Sequence, residues 1–421
     1  MKTLSKTYIP QMRDIKAAAD RLKTVIKSSP LDTSMTYSNK YNANVLLKRE
    51  DLQNVRSYKI RGAYNKIAAL STNQKNNGIV CASAGNHAQG VAFSCNKEKI
   101  KGTIFMPTTT PQQKIDKVKW FGGDQVELSL YGDTFDDAKK EAIKYSQEAN
   151  ATFIHPFDDP QIIEGQATIG LEILAQTTKP IDFLFLPVGG GGLAAGVSAV
   201  FKKLSPKTKI IGAEPYGAPS MFNSLKQQSV VSLETINPFV DGAAVKKVGQ
   251  LNFEICNSNL DDMLLVKEGA LCSEILDLYN KDAIVVEPAG ALSLSALEQY
   301  KNEISGKNVV AIVSGSNNDI TRMEEIKEKA LLHNGLKHYF LVKFPQRAGA
   351  LREFVVHILG KDDDITHFEY TKKNYKEKGS AIVGLEIKNE NSLDQLINKM
   401  KNNGFYGEYL NNKPLLMEAL V

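Results

Sequence analysis

Cysteine is scarce in this chain and follows no pattern. Cys81, Cys95, Cys256 and Cys272 are scattered, with no CxxC pair. Neither a disulfide framework nor a zinc spacing is available, and reduced thiols in a cytosolic protein are expected. Long apolar runs are missing too, since no stretch could span a bilayer. The amino-terminal segment "MKTLSKTYIPQMRDIKAAADRLKTVI" is polar and helical in period, with no apolar h-region. A soluble, cytoplasmic protein with no membrane partner is the expectation. Charge of one sign is also lacking. The chain sets 52 Lys and Arg against 47 Asp and Glu, so its net +5 is small and spread out, which gives no footing for a nucleic-acid partner. Six histidines form no metal spacing, and there are no repeats or low-complexity tracts.

What is present is ordinary in amount and informative in order. A length of 421 residues predicts two or three domains. With 42% apolar and 24% charged residues, these domains can bury their cores without staples. From about residue 40 to 320, the runs "ANVLLK", "GIVCAS", "GTIFMP", "DQVELS", "DFLFLPV", "KIIGAE" and "NVVAIVSG" are short, apolar and strand-like. Helical stretches such as "AYNKIAALST", "FDDAKKEAIKYSQEAN" and "LAAGVSAVFKKL" lie between them. That alternation predicts α/β architecture, with largely parallel strands covered by helices on both faces. Near residue 320 the pattern changes. A charged connector, "ITRMEEIKEKALLHNGLKH", precedes about 80 residues reading strand "YFLVKF", helix "AGALREFVVHIL", strands "DITHFEYTKK" and "GSAIVGLEI", helix "SLDQLINKMKNNG" and strand "FYGEYL". This β-α-β-β-α-β order is the ferredoxin-like pattern.

Three strand ends in the α/β region carry polar groups where such sheets collect ligands. In "DFLFLPVGGGGLAAGVSAVFKKL", Gly189 to Gly192 stand between a buried strand and a helix. Backbone N–H groups there can close around an anion with no Cβ in the way, and the helix dipole favours negative charge. A phosphate site is the natural reading, a flexible turn the bland one. Gly189-x-Gly191-x-x-Ala194 with Glu214 on the next strand also satisfies a loose dinucleotide pattern, so a nicotinamide enzyme stays open on this segment alone. In "GIVCASAGNHAQGVAFSC", the loop Ser83, Ala84, Gly85, Asn86 and His87 leads into a helix and suits a carboxylate or a ring oxygen. In "NVVAIVSGSNND", Ser314 and its neighbours form a third polar tip. Each is turn chemistry as readily as a site when taken alone. Set in order along one α/β sheet, they give weight to Lys59 in "VRSYKIRGAY". Lys59 opens a helix at about Ile60 or Arg61, where the dipole favours a neutral amine. Burial would lower its pKa further, as Schiff-base and general-base lysines require. One solvated cation among many is the alternative.

"SYKIRGAYNKI", "ASAGNHAQGVA", "PVGGGGLAAG" and "VSGSNND" occur here in the order and context of the pyridoxal-phosphate β-family (fold type II). Within it the chain resembles the threonine dehydratases. "SSPLDTS", "LLKREDLQNV", "MPTTTPQQKIDKVKWFGG", "HPFDDPQIIEGQATIGLEI", "VDGAAVKKVG" and "VVEPAGALSL" extend the match over nearly all of residues 1–320. The tail "FPQRAGALREFVVHILGKDDDITHFEYTKK" resembles the single ACT-like regulatory domain of the shorter biosynthetic form. The resemblance implies a catalytic domain over 1–325 with a smaller subdomain at about 50–155. A connector at 326–337 and an ACT-like domain over 338–421 would follow.

It also implies pyridoxal 5'-phosphate as cofactor, covalently held by Lys59. Asn86 would contact the ring 3'-oxygen, Gly189, Gly190, Gly191, Gly192 and Leu193 the phosphate, and Ser314 the pyridine nitrogen. The loop Ser83 to His87 would hold the substrate carboxylate. The implied reaction turns L-threonine into 2-oxobutanoate and ammonia, the first step of isoleucine biosynthesis, with L-serine a poorer substrate. The freed Lys59 amine would take the Cα proton. A hydroxyl at the pyridine nitrogen, in place of a carboxylate, would leave that nitrogen largely unprotonated and favour loss of the β-hydroxyl over transamination. Tyr58 stands where the family usually has Phe, and Ser316 where Gly or Ala is commoner, which bears on substrate preference.

Alternatives remain at this point. A serine-preferring dehydratase or a racemase shares the fold, and a non-catalytic nucleotide- or amino-acid-binding protein is the rival from another class. His87 is a base or a structural part of its loop, and Glu287 lines the ring or packs at the core edge. The segment after Glu214, "EPYGAPSM", lacks the Asp that metal-dependent racemase-type relatives carry, so no metal is expected. Gly349, between the first strand and helix of the ferredoxin-like unit, permits close approach of an amino-acid carboxylate. The resemblance implies isoleucine as feedback inhibitor and a homo-oligomer, a tetramer; a domain that serves assembly alone is the other reading.

Overall fold

Short runs of branched and aromatic residues become strands where helices cover both of their faces. In the computed structural model, which describes residues 8–371 and 378–420, these runs fall into two units, Met1–Ile320 and Thr321–Val421. The first seven residues of the amino-terminal stretch, and Lys372 and Lys373 at the end of "DITHFEYTKK", lie outside the described residues.

The first unit contains β1 (Leu31–Thr33), β2 (Asn44–Arg49), β3 (Ile79–Ala82), β4 (Gly102–Met106), β5 (Val126–Leu130), β6 (Thr152–Phe153), β7 (Phe183–Pro187), β8 (Lys209–Pro215), β9 (Asp262–Val266) and β10 (Asn308–Val313). Six of them form a sheet in the order β1-β2-β10-β7-β8-β9, and four form a second in the order β5-β4-β3-β6. Every pairing is parallel except β1 with β2. β7 and β3 are buried at every position, which is why both read as unbroken apolar runs.

The polar tips therefore do not lie along one sheet. The loops after β7 and β10 belong to the six-stranded sheet, and the loop after β3 belongs to the four-stranded one. β1, β6 and β9 have no counterpart among the expected strands. β6 has two residues and β1 three, too few to show a period, and β9 begins at an exposed aspartate.

Helix Lys59–Ala68 packs against helices Asn86–Glu98 and Pro160–Gln176. Two glycines let them come this close. A Cβ at Gly165 would lie 2.6 Å from the Arg61 carbonyl oxygen, and one at Gly90 3.2 Å from that of Lys59. The start of the Lys59 helix is thereby held between neighbours, with Lys59 half-buried and Ile60 and Arg61 buried.

In the second unit, β11 (Lys337–Pro345), β12 (Asp364–Tyr370), β13 (Lys378–Glu386) and β14 (Tyr406–Tyr409) make an antiparallel sheet in the order β12-β13-β11-β14. Helices Ala350–His357 and Leu393–Asn402 complete the ferredoxin-like sequence of elements. Phe340, Phe344, Phe354 and Phe405 fill its core. Helix Met323–His333 precedes β11, and a further helix, Pro414–Leu420, follows β14.

Candidate functional site

The helix that carries the candidate lysine begins at Lys59 itself, one or two residues before the expected start. Its amine donates to the Pro156 carbonyl over 3.1 Å and lies 5.4 Å from the centre of the Tyr58 ring. Burial lowers the amine from its ordinary value of 10.5 to about 8, with Glu287 pulling weakly the other way. An amine so placed is partly neutral near physiological pH, as proton abstraction or imine formation requires.

Three polar tips converge on this helix start. Residues 56–58 run against the end of β10: Ser57 bridges to Gly315, Tyr58 N–H donates to Ser314 O at 3.1 Å, and Ser316 N–H donates to Arg56 O at 2.9 Å. Ser314 is buried, and its hydroxyl donates to the Ala289 carbonyl at 3.2 Å. Ser316 turns its hydroxyl to Asp51 O at 3.1 Å. From the other sheet comes Asn86, first residue of its helix. Its Nδ2 donates to Glu287 Oε1 at 2.6 Å, and its Oδ1 accepts from Asn317 Nδ2 at 2.7 Å. Glu287, left between two readings by the sequence, is thus a partner of Asn86. Burial pushes its carboxyl up to about 7, helped by Asp241 and opposed by the Asn86 hydrogen bond.

The glycine loop approaches through the segment His155 to Asp159. A Cβ at Gly190 would fall 2.3 Å from the Phe157 ring, and one at Gly192 2.9 Å from the Phe157 carbonyl oxygen. Gly191 adopts φ +93°, the left-handed region that glycine enters without strain. Among the described residues, none of the N–H groups of Gly189 to Leu193 has a protein acceptor. Unpaired backbone donors at a helix start are an anion cradle. The loop Ser83 to Gly85 differs: Ser83 N–H donates to Phe105 O at 3.1 Å and Gly85 N–H to Ser83 Oγ at 3.2 Å, while a Cβ at Gly85 would meet open space.

Two sequence alternatives are decided by these contacts. Glu214 is fully buried and accepts from Met221 N–H at 2.8 Å and Phe222 N–H at 3.0 Å. It caps a helix and has no reach to a ribose, which removes the support for a dinucleotide. His87 is buried with Nε2 against the Ile154 carbonyl at 3.0 Å, so Nε2 carries the proton. Burial, with Lys59 nearby, lowers it to about 3. The ring stays neutral and structural.

"HPFDDP" had no role assigned from sequence, yet it is the junction of the site. Pro156 O holds the lysine, and Phe157 lies under the glycines. Asp158 accepts from Gln250 N–H and Leu251 N–H at 3.0 Å each, and Asp159 caps helix Pro160–Gln176. An Asp-Asp-Pro before an apolar run marked the helix start; nothing in it marked the long-range contacts. Gly349 lies in the second unit, at φ +87° before helix Ala350–His357, with open space where a side chain would be.

Comparison with known proteins matches residues 22–315 to the family described as pyridoxal-phosphate dependent enzyme. Residues 328–420 match the C-terminal regulatory domain of threonine dehydratase. The chain is 53% identical over 411 residues to the biosynthetic L-threonine dehydratase IlvA of Halalkalibacterium halodurans, covering 98% of this chain and 99% of that one. Among solved structures, the processed form of threonine deaminase isoform 2 from Solanum lycopersicum is 41% identical with a TM-score of 0.73, covering 78% of this chain and 91% of that one. Maize serine racemase is 29% identical with a TM-score of 0.71, over 77% and 99% of the two chains.

Proposed function

The chain belongs to the pyridoxal-phosphate dependent enzymes and, within them, to the biosynthetic threonine dehydratase family, and from that premise we propose that it converts L-threonine to 2-oxobutanoate and ammonia. One observation carries the reading: the Lys59 amine, at a helix start, donates to Pro156 O, next to the Phe157 that packs against a glycine loop whose N–H groups lack protein acceptors. The residues fit the cofactor. Gly189 to Leu193 would hold its phosphate, Asn86 its ring oxygen, Ser314 its ring nitrogen and Lys59 its carbonyl carbon. When bound, pyridoxal phosphate supplies an electron sink for the charge left at the substrate Cα.

The chain's own residues do the rest. The Lys59 amine takes the Cα proton once it is free, and the Pro156 carbonyl keeps it oriented. Asn86 has one amide proton on Glu287, which leaves the second for the ring oxygen. The Ser314 hydroxyl can exchange its 3.2 Å bond to Ala289 for the ring nitrogen. The N–H groups at the start of helix Asn86–Glu98 favour the substrate carboxylate. Neutral His87 adds no competing positive charge.

The second unit would sense isoleucine at the open loop around Gly349, and the whole would act as a cytoplasmic homotetramer. Support comes from the match to a regulatory domain and from the unfilled space at Gly349.

The test is spectral and chemical. Purified protein should show a near-visible absorbance band that borohydride abolishes and that Lys59→Ala lacks. Keto-acid formation should be fastest with L-threonine, slower with L-serine and absent with D-serine. A protein that gains no band with added pyridoxal phosphate would overturn the reading. Turnover of L-serine to D-serine in place of keto acid would favour the racemase.

A further inference from the structure

We propose that Asn252, buried beneath the glycine loop, is a positioning residue for the cofactor phosphate, holding the loop's N–H groups open through the carbonyls of the same peptides. The proposal rests on the reading of Gly189 to Leu193 as the phosphate site.

Asn252 lies in helix Gln250–Asn259 and is fully buried. Its Nδ2 donates to Gly190 O at 2.8 Å and to Phe157 O at 3.0 Å. Its Oδ1 has no partner among the described residues. The amide cannot be turned over, because Oδ1 would then face two carbonyl oxygens. A buried amide with an unfilled acceptor is a poor core residue, and an apolar side chain would avoid that cost. What the amide does achieve is fixing the Gly190 carbonyl, which also accepts from Gly249 N–H at 3.1 Å.

The consequence follows from peptide geometry. In a trans planar peptide the C=O and N–H point in opposite directions. Drawing Gly190 O towards helix Gln250–Asn259 turns Gly191 N–H to the opposite side. The next peptide is set by its own helix: Gly191 O accepts from Ala195 N–H at 2.8 Å, with Cys256 Sγ 4.0 Å away, so Gly192 N–H points back out of the helix start. Successive N–H groups without protein acceptors at a helix start, with Gly191 in the left-handed region, make an anion nest. The helix that sets this geometry is held in turn by Asp158, which caps its first N–H groups beside Phe157. Asn252 therefore ties the lysine's junction segment to the phosphate loop without touching either ligand or lysine.

The experiment compares two probes on cofactor-free protein: pyridoxal 5'-phosphate, and pyridoxal, which lacks the phosphate but has the same ring and aldehyde. Both are titrated by near-visible absorbance into wild type, Asn252→Leu and Asn252→Ser, with thermal midpoints recorded alongside. Wild type should prefer the phosphorylated probe. Asn252→Leu should lose about tenfold of that preference, the size expected for one orphaned buried hydrogen bond, with pyridoxal affinity little changed. Asn252→Ser, a smaller change, reads the same ratio if the leucine variant does not fold. If affinity for both probes falls together, Asn252 is merely structural and the proposal fails. If wild type shows no preference, the phosphate reading itself is wrong, a result separate from any variant.

Discussion

An amine moved from water to a helix junction loses hydration that the Pro156 carbonyl replaces only in part. The folded state therefore disfavours the protonated form, and Lys59 drops from 10.5 to about 8. Between those values the unfolded chain binds a proton that the folded chain does not, so stability rises with pH across that window. Below about pH 8 both states are protonated and the full penalty stands. Lys59→Met should accordingly make the cofactor-free protein more stable at pH 7, by about 1–3 kcal/mol, with the gain fading as pH approaches 10.5. Urea unfolding at pH 7 and pH 10 reads this directly. A variant less stable than wild type at pH 7 would contradict the burial of the amine. The company of Lys59 was legible in sequence, because glycine loops and polar strand ends carry local chemistry. Arg61, two residues on, was not. It is fully buried and donates to Glu50 at 2.7 and 2.8 Å, Glu172 at 2.7 and 2.9 Å, and Thr168 at 3.0 Å. Nothing local separates such an arginine from a solvated one; its partners lie up to 111 residues away.

At the scale of elements, the position of Lys59 depends on three helices packed closer than side chains normally permit. A Cβ at Gly165 would meet not only the Arg61 carbonyl oxygen at 2.6 Å but also the Gly62 Cα at 2.7 Å. These are backbone atoms, and they cannot turn aside as a side chain would. Gly165→Ala should force helix Pro160–Gln176 away from helix Lys59–Ala68, destabilising the protein by about 1–3 kcal/mol. It should also lower kcat more than it raises KM for threonine, since a displaced amine misses the transition state. Denaturation and steady-state keto-acid formation check both parts; unchanged stability would mean that the helices are free to separate. The longer strands other than β9, and helices such as Phe135–Glu148 and Gly192–Leu204, were readable from period and end signals, whereas helices such as Gln250–Asn259 and Pro414–Leu420 were not read. The division into two sheets was not, because β-strand order is set by pairing across the chain. β3 and β7 look alike in sequence, yet one lies in each sheet.

For the whole molecule, the relevant fact is that each unit has its own core. Phe340, Phe344, Phe354 and Phe405 pack with Val342, Val383 and Leu385 in the second, while the cores of the first are drawn from residues of the first alone. A unit with a separate core can fold and respond separately. Regulation then has to travel as a coupling free energy between units, typically worth about 5- to 150-fold in affinity or activity. In the full chain, isoleucine should lower threonine turnover by a factor in about that range, and titration calorimetry should detect its binding. A chain ending at Ile320 should keep its keto-acid activity and its cofactor band while losing the isoleucine response. Valine supplies the control, since it differs by one methylene and a sensor for branched side chains should bind it more weakly by about 1 kcal/mol. Isoleucine sensitivity surviving in the truncated chain would place the effector site in the catalytic unit and leave the second unit a role in assembly alone.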